Sequence, residues 1–225
     1  HKKCYFISMM SDLNIKGIIF DMDGVLLDSE SICDKTWEIA RKEFGLPEGI
    51  DSINKCRGTN FHDSAIILRE LYGQDMEAEK YLERCSELFR ETEFSIGIPL
   101  MPFAKEILEY LKPKYRIALA SSTRGPSVKR QMTNAGLIKY FESLTTGEMV
   151  THSKPNPEIY RMACNSLTLE PEVCVAVEDS PNGARAALAA GMRTILIPDR
   201  SPATPDVLEK VWKLCKNLND LKEFL

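Results

Sequence analysis

The chain has 225 residues, of which 44% are apolar, and its 29 Lys and Arg stand against 33 Asp and Glu. This length and composition can fill a large hydrophobic core, which indicates a globular protein. The net charge of −4 comes without any block of like charge longer than three residues, so we expect neither a nucleic-acid partner nor binding to an anionic membrane, since clustered basic residues usually hold both.

The cysteines and the first residues bear on the compartment. Seven scattered cysteines include no Cys-x-x-Cys pair, which favours reduced thiols in the cytoplasm over disulfides or a zinc site. The opening HKKCYFISMM has basic residues before an apolar patch, but this patch at 4–7 is too short for a signal peptide. Elsewhere no stretch approaches the ~20 apolar residues that span a bilayer. We therefore expect a soluble cytoplasmic protein without a membrane partner.

In chain order, the first predicted element is the strand GIIF at 17–20, which leads directly into DMDGV. Its continuous apolar character is typical of a strand that is buried on both faces. Two carboxylates, those of Asp21 and Asp23, follow one residue apart where this strand ends. Taken alone, two acidic residues at the end of a buried strand indicate either an Asx turn that closes the strand or a functional site.

A helical insert follows the first strand. Between about 31 and 93 no strand pattern occurs, and three amphipathic helical patterns cover 31–44, 61–72 and 78–93. Trp37, Ile39 and Phe44 are expected in the hydrophobic core of this insert. We therefore predict a small helical cap domain inserted into a main domain, with bounds at 1–29 (main), 30–98 (cap) and 99–225 (main).

Four further strand patterns follow the insert and alternate with helical patterns. The strands are expected at 116–120 (RIALA), 143–146 (SLTT), 173–177 (VCVAV) and 193–197 (RTILI). The helical patterns cover 102–111, 126–135, 157–167 and 182–190. Continuously apolar strands that alternate with helices predict a parallel sheet covered on both faces, so the fold class is α/β.

Polar side chains gather where the predicted strands end. Asp21 and Asp23 follow the first strand, and Lys154 lies within HSKPNPEIY after the third. Further hydroxyls and carboxylates follow the second and fourth strands: Ser121, Ser122, Thr123, Glu178, Asp179 and Ser180. Because ligands bind beyond the carboxyl ends of the strands in open α/β sheets, we expect these groups to share one crevice.

These groups have compatible chemical roles. The carboxylates would repel one another in a crevice unless a cation neutralised them, and an all-oxygen donor set suits Mg²⁺. Lys154 adds positive charge, and Ser121 with the backbone N–H groups after it adds donors that can hold a phosphoryl group. A carboxylate can attack phosphorus, and residues two apart in an extended segment point to the same side. One of Asp21 and Asp23 can therefore attack while the other handles a proton.

Four segments carry a resemblance to a known family. DMDGV, ALASS, SKPNPEIY and VEDSPNGARAALAAGM resemble the four motifs of the haloacid dehalogenase-like superfamily, in the branch of β-phosphoglucomutase and sugar-phosphate phosphatases. The resemblance covers nearly all of the chain, because the insert lies where that branch carries its helical cap. It implies a Rossmann-like parallel sheet with a cap, a Mg²⁺ cofactor, a small phosphorylated metabolite as substrate and a monomeric protein.

The resemblance also implies roles for individual residues. Asp21 is similar to the nucleophile that becomes phosphorylated. Asp23 is similar to the general acid for the leaving alcohol, which then acts as the base for the incoming water. Ser121 would hydrogen-bond the phosphoryl oxygens, and Lys154 would pair with Asp21 and the phosphate.

Metal and substrate ligands follow from the same resemblance. The metal would be held by carboxylates and by one backbone carbonyl oxygen, that of Asp23, partly through water: Asp21, Asp23, Glu178 and Asp179. Gly24 would let its loop come close to the ligand, which fits the steric freedom of glycine. Further candidate contacts to substrate are Ser122, Arg57 and Arg124.

Departures from the family pattern narrow the predicted activity. The presence of Asp23 argues against dehalogenation, which needs neither this aspartate nor a metal. In the mutases of this branch, a histidine stands where we align Cys33 and a phosphate-gripping arginine where we align Phe61. Because a mutase must hold a bisphosphate and discriminate against water, the loss of both features favours hydrolysis.

The sequence therefore predicts a Mg²⁺-dependent phosphatase that acts on a sugar or polyol phosphate through an aspartyl-phosphate. A phosphomutase of the β-phosphoglucomutase type is the alternative. A non-catalytic binding protein on the same scaffold would be expected to have lost Asp21, Asp23 or Lys154, and all three are present.

Overall fold

The computed structural model describes residues 14–57 and 61–225 of the chain. The opening HKKCYFISMM, interpreted above as too short for a signal peptide, lies outside the described residues. Within them the chain forms two compact units, a sheet unit of residues 14–27 with Leu100–Leu225 and a helical unit of Asp28–Pro99. The role of the helical unit as a cap domain stays a prediction.

The described residues of the helical unit form four helices: α1 (Ser29–Glu43), α2 (Ser52–Cys56), α3 (Phe61–Tyr72) and α4 (Ala78–Ile96). Asp28 caps the start of α1, because its Oδ1 accepts a hydrogen bond from the Ser31 N–H at 3.2 Å and satisfies an amide that the helix cannot pair. Helices α1, α3 and α4 agree with the three predicted patterns. Helix α2 was not predicted, since a segment of five residues is too short to show a helical period.

The core of the helical unit forms around Tyr81, which is 1% exposed. Its ring makes edge contacts with Trp37 and Phe44, each with ring centroids 5.4 Å apart, and its hydroxyl donates to the Trp37 carbonyl at 3.0 Å. Both aromatic residues therefore pack as predicted. The expectation for Ile39 was wrong, since this side chain is 45% exposed. It lies at the edge of the arc of α1 that includes the buried Ala40.

The sheet unit contains a six-stranded sheet whose strands are β1 (Gly17–Phe20), β2 (Arg116–Ala120), β3 (Ser143–Thr145), β4 (Cys174–Glu178), β5 (Arg193–Leu196) and β6 (Lys213–Leu214). Their order in space is β3-β2-β1-β4-β5-β6. Every pairing of neighbouring strands is parallel. This sheet confirms the predicted α/β class with a parallel sheet.

Strand β1 lies in the middle of the sheet and is buried along its whole length. Phe20 is paired with Leu119 of β2 on one side and with Val177 of β4 on the other. The residues that follow these three strands must therefore start at one level of one edge of the sheet. This register positions the candidate site.

Helices connect the strands of the sheet unit: α5 (Ala104–Leu111), α6 (Gly125–Asn134), α7 (Glu158–Ser166), α8 (Pro181–Ala189) and α9 (Pro205–Leu208). Single turns of 3₁₀ helix lie at Ile138–Tyr140, Gly147–Met149 and Pro171–Val173, and a longer one at Leu218–Glu223. Within the described ranges, none of the helices combines the length and apolar character needed to cross a bilayer.

Strand β6 was not predicted. It has two residues, both exposed, and it joins the edge of the sheet through backbone hydrogen bonds such as Cys215 N–H to Leu196 O at 2.9 Å. A short, exposed edge strand has neither the apolar run nor the alternation by which a strand is recognised in a sequence.

Candidate active site

Three neighbouring strands bring the predicted residues to one edge of the sheet. Asp21 follows β1, Ser121 follows β2, and Glu178 is the last residue of β4. The backbone continues the sheet pattern by one residue, since the Asp21 N–H donates to Val177 O at 3.0 Å and the Ser121 N–H donates to Thr145 O at 2.9 Å. The first residue of the loops after β1 and β2 is therefore fixed by the sheet itself.

Lys154 connects the two most buried carboxylates of the site. Its Nζ donates to Asp21 Oδ1 at 2.8 Å and to Glu178 Oε1 at 2.6 Å, and it lies 3.4 Å from Ala120 O. The side chains of Lys154, Asp21 and Glu178 are 10%, 11% and 0% exposed. Charge-assisted hydrogen bonds are strong where little water competes, so Lys154 fixes the position of both carboxylates.

Tyr160 is a member of the site that our sequence analysis missed. It lies in α7, it is fully buried, and its hydroxyl donates to Glu178 Oε1 at 2.5 Å. The Lys154 ammonium lies 5.1 Å from the centre of its ring. The available signal was a tyrosine on the apolar face of α7, because a buried phenol hydroxyl needs a hydrogen-bond partner.

The charges of the site are not balanced by Lys154 alone. Burial raises the pKa of Asp21 from its ordinary value of 3.8 to about 7, against the opposing effect of Lys154 and with a further increase from Glu178 and Asp23. Burial, together with the Glu178 and Asp21 carboxylates, also raises the pKa of Asp179 well above its usual range. Burial would lower the pKa of Lys154, but the carboxylates of Asp21 and Glu178 hold it above its usual value. The site therefore favours the binding of a further positive charge.

Three carboxylates could hold that charge as a metal ion. Asp21, Glu178 and Asp179 each present a carboxylate oxygen within 4.8 Å of the others. An all-oxygen set fits Mg²⁺, and a divalent cation would stabilise the ionised carboxylates of Asp21 and Asp179, whose pKa values are raised first by burial and then by neighbouring carboxylates. The residues therefore fit the predicted metal. The side chain of Asp23 does not belong to this group, and its predicted contribution is a backbone carbonyl oxygen.

Gly24 lies against one of these carboxylates. Its φ is +76°, and a Cβ at this position would come 2.3 Å from Asp179 Oδ2. A side chain would therefore both strain the backbone and displace Asp179. In the structure, the missing side chain allows the loop after β1 to approach Asp179.

The loop after β2 contacts Asp23. The half-buried Asp23 accepts a hydrogen bond at Oδ2 from Thr123 Oγ1 at 2.8 Å, and the Thr123 N–H donates to Ser121 Oγ at 3.1 Å. Ser121 is fully buried, whereas Ser122 and Arg124 are exposed. The Thr123 hydroxyl, one of the polar groups predicted to gather where the strands end, therefore binds Asp23.

Arg57, predicted to contact substrate, belongs to the helical unit. Its guanidinium forms ion pairs with Glu30 and Asp34, and its Nε donates to Asn54 Oδ1 at 2.8 Å. A substrate phosphate would have to compete with these two carboxylates for Arg57. Its role in substrate binding stays a prediction.

Comparison with known proteins gives consistent matches. A family model described as haloacid dehalogenase-like hydrolase matches residues 18–197. A Thermotoga maritima protein named Phosphorylated carbohydrates phosphatase is 30% identical over 212 residues, which cover 94% of this chain and 90% of the relative. Hexitol phosphatase B from Escherichia coli is 29% identical over 201 residues, which cover 84% of this chain and 86% of the relative. The solved structure of a Thermotoga maritima protein named as a candidate β-phosphoglucomutase is 31% identical with a TM-score of 0.77, covering 94% of this chain and 100% of that one.

Proposed function

The chain belongs to the haloacid dehalogenase-like hydrolase family, and from this premise we propose that it is a Mg²⁺-dependent phosphatase acting through an aspartyl-phosphate. The proposed substrate is a small phosphorylated sugar or polyol, which the names of its phosphatase relatives support. One observation carries the proposal. The Asp21 carboxylate accepts a hydrogen bond from Lys154 Nζ at 2.8 Å. It lies two residues before Asp23, at the edge of the sheet where ligands bind.

The first step is the transfer of the phosphoryl group to Asp21. A carboxylate oxygen of Asp21 attacks phosphorus, and the bond between phosphorus and the oxygen of the sugar or polyol breaks. Asp23 gives its proton to that departing oxygen, which leaves as a neutral alcohol. Lys154 binds Asp21 Oδ1 and offsets the negative charge that would otherwise repel the phosphoryl oxygens.

The second step returns the enzyme to its starting state. Asp23, now a carboxylate, removes a proton from a water molecule as the water oxygen attacks the phosphorus of the aspartyl-phosphate. The acyl-phosphate bond breaks, which releases inorganic phosphate and the Asp21 carboxylate. Ser121 and the backbone N–H groups after β2 are proposed to donate hydrogen bonds to the phosphoryl oxygens in both steps.

The residues proposed to hold Mg²⁺ are Asp21, Asp23 through its carbonyl oxygen, Glu178 and Asp179. When bound, the ion supplies positive charge that offsets the charge of the phosphoryl group. Glu178 already accepts hydrogen bonds at Oε1 from Lys154 and Tyr160. Glu178 therefore has two proposed roles. It holds Lys154 and Tyr160 in position, and it adds negative charge that attracts the metal ion.

Phosphate release tests the proposal. We expect the protein to release phosphate from members of a panel of sugar, polyol and nucleotide monophosphates in the presence of Mg²⁺ and not in excess chelator. The variant Asp21→Asn is expected to lose this activity, whereas Asp75→Asn, which changes an exposed aspartate of the helical unit, is expected to keep it. If the metal-loaded protein released phosphate from none of these compounds, hydrolysis would be rejected.

A phosphomutase is the second candidate, and the likeness to the candidate β-phosphoglucomutase favours it. Against it, Cys33 and Phe61 stand where the mutases carry their histidine and their phosphate-binding arginine. The products separate the two activities. With β-glucose 1-phosphate and a trace of the bisphosphate, glucose with inorganic phosphate indicates a phosphatase, and glucose 6-phosphate indicates a mutase.

A further inference from the structure

We propose that Thr123 is a positioning residue for Asp23, and that its hydroxyl orients the Asp23 carboxyl for proton transfer to the leaving oxygen. This inference rests on the proposed function, in which Asp23 is the general acid. The observation behind it is the hydrogen bond from Thr123 Oγ1 to Asp23 Oδ2 at 2.8 Å. It joins the loop after β1 to the loop after the neighbouring strand β2.

The backbone of Thr123 is fixed on both sides. Its N–H donates to Ser121 Oγ at 3.1 Å, and its carbonyl oxygen accepts a hydrogen bond from the Gly147 N–H at 3.0 Å. Gly147 approaches so closely that a Cβ there would lie 2.1 Å from Ser122 O. A loop held in this way can present its hydroxyl from a defined position.

The side chain of Thr123 suits this task as well. Threonine is branched at Cβ, which restricts its χ1 rotation. Both Thr123 and Asp23 are half-buried, so their hydrogen bond is partly shielded from water. A donor fixed at Oδ2 sets the plane of the Asp23 carboxyl and therefore the position of Oδ1.

The position of that carboxyl matters for the reaction. A general acid must lie within hydrogen-bond reach of the oxygen that it protonates, and a misplacement of about 1 Å can cost about 100-fold in rate. An alkoxide of a sugar or polyol leaves poorly without a proton, whereas 4-nitrophenolate leaves well without one. The contribution of Thr123 should therefore depend on the leaving group, which a purely structural contact between two loops would not.

The test compares kcat/KM for two substrates, because this ratio reports the steps up to departure of the leaving group. The substrates are 4-nitrophenyl phosphate and the best sugar or polyol phosphate of the panel. In Thr123→Val, we expect kcat/KM for the sugar or polyol phosphate to fall by about 10- to 100-fold and that for 4-nitrophenyl phosphate by less than about threefold. Thr123→Ser, which keeps a hydroxyl, is expected to recover most of the loss.

Controls separate positioning from folding. Asp23→Asn is expected to show the same dependence on the leaving group with a larger loss. Thr133→Val removes the hydroxyl of an exposed threonine in α6 that donates to Lys129 O at 2.6 Å. This variant is expected to leave kcat/KM unchanged for both substrates. If Thr123→Val does not give a folded protein by its thermal transition, Thr123→Ala replaces it in the same comparison.

The outcomes distinguish the positioning role of Thr123 from the proposed phosphatase function. An equal loss for both substrates, or no loss for either, would overturn the positioning role of Thr123 while leaving the proposed phosphatase intact. A wild-type protein that cleaves neither substrate would instead contradict the proposed function itself, and the positioning role with it.

Discussion

At the scale of single residues, the arrangement of the carboxylates decides the properties of the site. Lys154 donates hydrogen bonds to Asp21 and Glu178, and Asp179 is the member of the three-carboxylate group that lies outside this pairing. Burial and its two carboxylate neighbours raise the pKa of Asp179. Asp179 therefore destabilises the metal-free protein when it is ionised, and a bound cation would remove this cost.

We predict that Asp179→Asn stabilises the metal-free protein and abolishes most of its stabilisation by Mg²⁺. The substitution keeps the shape of the side chain while it removes one of the repelling charges, so a gain on the order of 1 kcal/mol, or about 2–4 °C, is expected. Thermal unfolding in chelator and in Mg²⁺ measures both effects, and Asp75→Asn is the control. A variant that melts below the wild type in chelator and keeps the full shift with Mg²⁺ would disprove this account.

The pKa of Asp21 predicts how the stability of the metal-free protein depends on pH. In the folded protein this pKa is about 7 rather than 3.8. In the pH window between these two values, the folded state holds a proton that the unfolded chain has released. Stability is therefore lost as pH rises through this window, by up to about 1.4 kcal/mol per pH unit for one proton. The raised pKa of Asp179 acts in the same direction.

Urea unfolding in chelator between about pH 5 and about pH 7 measures this dependence. We expect the free energy of unfolding of the wild type to fall with pH relative to that of Asp21→Asn, in which this proton is absent. The difference contains the titration of Asp21 itself and its effect on the pKa of Asp179, and both act in the same direction. A difference that stayed constant, or changed with the opposite sign, would show that Asp21 does not retain its proton in the folded state.

Gly24 allows a sharp test of the contact between the loop after β1 and Asp179. Gly24→Ala is expected to cost at least about 1–2 kcal/mol, since the backbone has a positive φ and the new Cβ would lie 2.3 Å from Asp179 Oδ2. Gly136→Ala is the matched control, because Gly136 has a φ of +71° with no atom within 4 Å of the added Cβ. We expect both variants to lose stability and only Gly24→Ala to reduce the stabilisation by Mg²⁺. Equal responses to Mg²⁺ would mean that the close approach to Asp179 has no effect on the metal.

At the scale of secondary-structure elements, some segments could be predicted from sequence because their physical cause is local. The run GIIF is buried on both faces and is bounded by polar residues, so the observed β1 has the predicted limits. The exposed strand β6 and the five-residue helix α2 have no such signal. Ile39 was misplaced because periodicity gives the direction of the buried face of α1 but not its width.

The candidate site likewise has contacts that could be predicted from the sequence and contacts that could not. The sequence motifs and the rule that parallel strands end at one edge predicted that Asp21, Lys154 and Glu178 would share a crevice, and the structure brings them into hydrogen-bond contact. The contacts of Tyr160 with Glu178 and of Thr123 with Asp23 depend on loop and helix positions that join residues far apart in the chain. No local pattern specifies such pairs. The catalytic roles themselves stay predictions.

Packing between α1 and α4 gives a prediction for the helical unit. Tyr81 is buried, contacts Trp37 and Phe44 and donates a hydrogen bond to a carbonyl of α1. We expect Tyr81→Ala to cost about 3–5 kcal/mol, as for other buried aromatic side chains, and Tyr81→Phe about 1 kcal/mol for the lost hydrogen bond. Denaturant unfolding measures both, and Ile96→Ala, at a side chain that is 77% exposed, should change little. A similar cost for all three variants would contradict the assignment of Tyr81 to this core.

At the scale of the whole molecule, the two units have separate hydrophobic cores and different shares of the predicted site. The core of the sheet unit includes Ile19, Ala118 and Tyr160, and that of the helical unit includes Tyr81 and Leu68. The sheet unit carries all the predicted catalytic and metal-binding residues, whereas Arg57 lies in the helical unit. Chemistry is therefore assigned to the sheet unit, and the helical unit is proposed to contribute to substrate binding.

Direct capture of the phosphorylated enzyme tests the central claim, that Asp21 is the nucleophile. The Mg²⁺-loaded protein would be mixed with its best substrate, quenched in acid within one turnover and analysed by mass spectrometry of the intact protein and its peptides. We predict the gain of one phosphoryl group on the peptide that contains Asp21, its persistence in Asp75→Asn and its absence in Asp21→Asn. A protein that hydrolyses the substrate while the phosphoryl group is found on another residue, or while Asp21→Asn keeps full activity, would contradict the account.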